Sequence, residues 1–150
     1  MHIAGNMWYL WIFGDNVETK LGPLKYVLFY LVGGIIASLV QYFYDPSSGI
    51  PIVGASGAVA AVLGFYAVKF PKNKVTSLLP IGGFSRAIQL PSLVVLGFWF
   101  VLQLFNGTAS LTTVTADAGG GGGVAWWAHV GGFVFGMIVA SLSTKRRLKN

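Results

Sequence analysis

The hydrophobic residues of this chain fall into long runs. Tyr26 to Tyr44, Ile52 to Val68, Leu90 to Phe105 and Val124 to Leu142 are each long enough, or nearly so, to cross a bilayer core of about 30 Å, which takes about 20 helical residues. A further run, Ile3 to Phe13, is apolar but short, and it begins close to the first residue. Helix breakers separate the runs: Gly22-Pro23, the stretch "DPSSGIP", Pro71, Pro80 and Pro91, and a flexible low-complexity loop from Gly119 to Gly123. No internal repeat is visible. The pattern predicts five membrane-crossing helices, an all-α polytopic membrane protein forming one domain over residues 1–150.

Composition strengthens that reading. Of the 150 residues 55% are hydrophobic and 9% charged, with a mean hydropathy of +0.71, whereas a soluble domain carries about 25% charged residues. The 21 glycines and five tryptophans suit membrane helices, where small residues let backbones approach and indoles sit at the interface. Cysteine is absent, which excludes disulfides and thiolate metal sites. No metal or cofactor is expected.

The net charge of +6 reads as topology. Lys20 and Lys25 fall in the first connection, Lys69, Lys72, Lys74 and Arg86 in the third, and Lys145, Arg146, Arg147 and Lys149 in the tail. All ten basic residues thus lie on one side, which the positive-inside rule makes cytoplasmic. No nucleic-acid partner is needed to explain them. The expected location is a multi-pass protein of the plasma (inner) membrane with its C-terminus in the cytoplasm. An odd number of crossings puts the N-terminus outside without a leader to export it. A preceding apolar segment is therefore expected, this chain being an N-terminally truncated form.

Strongly polar side chains inside apolar runs are costly and usually functional. His2 and Asn6 lie at i and i+4, on one face of the first helix near its outer end. Ser56 opens the third helix, again at the outer side, and His129 follows "WWA" near the outer end of the last. Four polar side chains on three helices therefore share one depth. A serine hydroxyl becomes a nucleophile when a base within hydrogen-bond reach takes its proton, and histidine is the usual base. Asn6, His2 and the backbone N–H groups around Ala55 and Ser56 can serve an oxyanion. Gly54 and Gly57 relieve crowding around the serine, and Gly57, Ala60, Ala61 and Gly64 facing Gly132 and Gly136 let two helices close together. Singly, each of these residues is more often structural; together they point to a Ser56–His129 dyad. The four acids offer no third member: Asp15 and Glu18 fall on the cytoplasmic side, and Asp45 and Asp117 in outer loops.

These motifs resemble the rhomboid intramembrane serine proteases along nearly the whole chain. "HIAGN" looks like the family's HxxxN, "WIFGDNVETKLG" like the end of the same helix, "GASG" like GxSG, and "AHVGGFVFG" like AHxxGxxxG. The resemblance implies a helical bundle with five of the usual six crossings, the first with its following loop being absent. It implies Ser56 as nucleophile, His129 as base, and His2 and Asn6 in the oxyanion hole. Substrates would be other membrane proteins, cut at or near a transmembrane segment, with Leu90 to Phe105 and the loop Asn106 to Gly123 gating the site. Two other readings compete: a catalytically inactive rhomboid-like protein that binds client transmembrane helices, and a small transporter or channel component. Intact Ser56 and His129 argue against the first, and the lack of charges facing a path argues against the second.

Overall fold

The structure, a computed structural model, describes residues 2–46, 55–81, 84–113 and 124–143; for residues 2, 79–81, 84 and 110–113 it describes the backbone alone. The chain opens with helix α1 (His2–Tyr9), passes through one π-helical stretch (Leu10–Gly14) and continues as α2 (Asp15–Leu21) with helical dihedrals at both junctions. The first apolar run is therefore the start of a longer helix. It stops where Gly22 adopts φ 84° and its N–H returns to the Glu18 carbonyl at 2.7 Å. Pro23, whose missing N–H is harmless in a first turn, then starts α3 (Pro23–Tyr44).

Helix α3 has 22 residues, about 33 Å at 1.5 Å per residue. Its apolar side chains Leu24, Leu28, Leu31, Ile35 and Phe43 face outward, as lipid-facing residues do. Helix α4 (Ser56–Lys69) is the opposite case: every residue from Gly57 to Ala67 is buried. It is the central post of the bundle, touched by α3, by α1 through α2, by α5 (Ser92–Thr113) and by α6 (Trp126–Leu142). Aromatic rings fill the space around it. Phe29 meets Phe65 edge-on at 5.5 Å and stacks on Phe135 at 5.8 Å, while Phe13 meets Tyr66 edge-on at 4.9 Å.

Two expectations need correction. The third connection, taken as a loop in an all-α protein, is an antiparallel hairpin of β1 (Lys74–Ile81) and β2 (Phe84–Pro91), in register from Lys74↔Pro91 to Ile81↔Phe84. Proline is tolerated there because a two-stranded sheet is all edge. Second, the fourth helix does not start at Leu90, which belongs to β2, and does not end at Phe105: α5 runs from Ser92 to Thr113. Its start is fixed by the preceding loop, since the Ser92 N–H reaches Asn73 O at 2.7 Å and its hydroxyl reaches Phe70 O at 2.5 Å. Among the described residues two stretches are long and apolar enough to cross a membrane, α3 and Ser92–Ala109; α4 and α6 are apolar but shorter. The protein is mostly helical, and the count of five crossings is not reached by helix length alone.

Candidate functional site

Ser56 is the first residue of α4 and is half-buried, with Ala55 at the N-cap position. The first backward hydrogen bond of the helix runs from Val59 N–H to Ala55 O at 2.9 Å. The preceding N–H groups, from Ser56 to Ala58, therefore point out of the helix start with no acceptor in the helix itself. Alanine has no side chain with which to cap them. A helix start of this kind favours negative charge.

His129 lies in the first turn of α6 and is buried. Its ring is bracketed by Trp99, 5.8 Å away and tilted, and by Trp126, 6.3 Å away and edge-on. Its Nδ1 is 2.8 Å from Oε1 of Gln103, a buried side chain of α5.

The serine and histidine are brought to one end of the bundle by close contact of α4 with α6. A Cβ on Gly132 would run into the carbonyl oxygen of Gly57, and one on Gly136 into that of Ala61; from the other side, one on Gly64 would run into the carbonyl oxygen of Phe133. Near the serine, a Cβ on Gly57 would lie 3.7 Å from Ala128 O and 3.9 Å from Ala128 Cβ. Ser56 and His129 are the immediate chain neighbours of that contacting pair. Gly54 lies outside the described residues, as do Asp117, the Gly119–Gly123 run and the basic tail.

Helix α1 contributes less that can be described. Asn6 is half-buried on a helix that touches α4. His2 is the first residue of that helix, one turn before Asn6, and its side chain is outside the described set. Among the described residues no three His, Cys, Asp or Glu side chains gather to hold a metal ion.

Two residues of this region escaped the sequence reading. Gln103 is one. Gln41 is the other: its Oε1 accepts the Ala128 N–H at 3.2 Å, so α3 caps the start of α6. Tyr44 stacks on Trp127 beside it, 4.4 Å between centroids. The signal that would have found both glutamines is the one that singled out His129, a polar side chain inside an apolar run.

Comparison with known proteins bears on the family of the chain. The family model described as Rhomboid domain matches residues 1–146. The chain is 29% identical over 147 residues to the rhomboid protease GlpG of Haemophilus influenzae, covering 98% of this chain and 65% of that protein. It is 35% identical over 99 residues to presenilin-associated rhomboid-like protein A, mitochondrial, of Danio rerio, covering 64% of this chain but 26% of that one. Rhomboid protein 1, mitochondrial, of Saccharomyces cerevisiae is 30% identical over 146 residues, with 91% and 36% covered. The matched region is thus about a quarter to two thirds of the length of these relatives. No solved structure matches the chain significantly.

Proposed function

The chain belongs to the rhomboid family, and we propose on that basis that it is an intramembrane serine endopeptidase that cuts transmembrane segments of other membrane proteins. Ser56 Oγ attacks the scissile carbonyl carbon while His129 takes the hydroxyl proton. The oxyanion that forms is met by the N–H groups at the start of α4, around Ala55 and Ser56, and by Asn6 and His2. His129 then gives the proton to the leaving amine as the C–N bond breaks. Water, activated by the same histidine, hydrolyses the acyl-enzyme and restores Ser56.

The observation that carries this reading is the backbone contact of α4 with α6 at Gly57, Ala128 and Gly132, next to both reacting residues. Helix length adds to it. The 14 residues of α4 span about 21 Å of a core of about 30 Å. With Lys69 at the basic, cytoplasmic face, Ser56 ends below the opposite surface, within reach of a transmembrane segment and of water from that side. In this reading the first helical stretch, α4 and α6 also cross, sheltered by α3 and α5, and the crossings number five. The placement is an integral membrane protein. Several relatives are named mitochondrial and one is bacterial, which widens the plasma-membrane expectation to an inner membrane of either kind.

The test is labelling with a fluorophosphonate, in mild detergent, of this chain beside Ser56→Ala and His129→Ala. The wild type should label and both variants should fall by at least about 100-fold, the lower weight of a general base. A folded wild-type chain that takes no label would overturn catalysis by this chain and leave client-helix binding as the better reading.

A further inference from the structure

The sequence offered no acid to orient His129, and the structure supplies a different group. Gln103 lies in the apolar stretch "WFVLQLFNG" of α5 and is buried, 5% exposed. Its Nε2 donates to Trp99 O, one turn back on its own helix, at 3.1 Å. That bond settles which end of the amide faces α6: Oε1, 2.8 Å from His129 Nδ1. An amide oxygen only accepts, so Nδ1 must carry the proton. A neutral imidazole carries one N–H, and Nε2 is then the nitrogen with the lone pair.

The contact is held from both sides. Helix α5 touches the bundle along one stripe, its buried residues being Ser92, Leu96, Gln103 and Gly107. At Gly107 a Cβ would come within 3.3 Å of Trp126 Cβ and of the Trp127 ring, so the absence of a side chain lets α5 lie against the start of α6. Trp99 and Trp126 limit rotation of the imidazole.

We propose that Gln103 is the positioning residue of the dyad, holding the His129 proton on Nδ1 so that Nε2 serves as base toward Ser56. This deepens the protease reading and rests on it for its consequence, though not for its geometry. A carboxylate in this place would also stabilise the imidazolium, but ionised carboxylates are costly inside a membrane bundle. A neutral amide gives the tautomer and orientation without that cost.

The experiment is 15N NMR of the full chain labelled at histidine, in detergent at about pH 8, above the ordinary histidine value of about 6.5. The signals of His129 are identified by their loss in His129→Ala. The expected result is a proton bonded to Nδ1 in the wild type. In Gln103→Met, close in volume to the native side chain, the proton should move toward the Nε2–H form that free histidine favours; Gln103→Glu should restore Nδ1–H. Should the Met variant fail to fold, Gln103→Leu takes its place. Fluorophosphonate labelling of the same proteins should slow by about tenfold in Gln103→Met, the weight of one buried hydrogen bond, and recover in Gln103→Glu.

An Nε2–H proton in the wild type, or a tautomer unmoved by Gln103→Met, overturns the proposal. So does equal labelling of the wild type and Gln103→Met, which would leave the dyad standing. Conversely, a wild type that takes no label but shows a Gln103-dependent Nδ1 proton would sink the protease reading and keep Gln103 as the group that fixes the ring.

Discussion

At its Ser56 end, α4 begins on an alanine that cannot cap it, with the first-turn N–H groups turned outward and a buried histidine nearby on α6. At its other end Tyr66 and Lys69 are tied to structure. Tyr66 OH accepts from Asn73 at 3.1 Å and more weakly from Asn16 at 3.5 Å, and Lys69 Nζ donates to Ser143 O at 2.6 Å, reaching across to the end of α6. A cleft of about 510 Å³ opens there, lined by Ile12, Asn16, Tyr66, Asn73, Lys74, Val75 and Thr76. Between the two ends runs the glycine contact with α6. In the proposed reading one helix thus has an end whose groups hold the fold and an end that carries the chemistry. The first keeps the second in place.

The hardest blow to this arrangement is Gly136→Leu. Its side chain would begin where the Ala61 backbone oxygen lies, and backbone cannot move aside as a flexible side chain can. Overpacking of this kind costs about 3 kcal/mol or more, and we expect loss of cooperative thermal unfolding in detergent together with loss of labelling. A wild-type melt would show that the α4–α6 contact does not hold the bundle.

A smaller effect is expected of Gln41→Leu, which strips the Ala128 N–H of its side-chain acceptor. The Ala128 N–H keeps Ala125 O as a backbone acceptor at 3.1 Å, so the cost should be about 1 kcal/mol, and the labelling rate should fall with it because the start of α6 carries His129. Unchanged labelling would mean that the His129 turn is set without α3.

Tyr66→Phe sharpens the contrast from the other end. It removes the acceptor of Asn73 and Asn16 and should lower stability by about 1 kcal/mol while leaving the rate of probe labelling as it was. A drop in that rate at constant stability would show the two ends to be coupled more tightly than packing alone requires. Smallest is Lys69→Met, at about 0.5 kcal/mol, the order of a cation near a helix C-terminus; denaturant melts of the two proteins side by side would measure it.

The membrane class, the helical runs and the four polar side chains His2, Asn6, Ser56 and His129 were legible in the sequence. So were the motifs that led to the family the chain proved to belong to. Each of these is local: hydropathy sums over neighbours in the chain, and a motif such as "GASG" is read without knowing what faces it. The partners were not legible. Gln103 and His129 are 26 positions apart, Gln41 and Ala128 are 87 apart, and their meeting depends on how far each helix is rotated about its own axis. In the hairpin, Pro80 and Pro91 read as loop, because the ladder that makes β1 and β2 a sheet lies in the register between them. The sequence alone therefore determined the family and the candidate residues for chemistry, and the tertiary structure decided which polar groups are held, by what, and at which end of α4. Hydrogen bonds between helices form only when two separate rotations and one axial shift agree, and no single stretch of sequence contains all three.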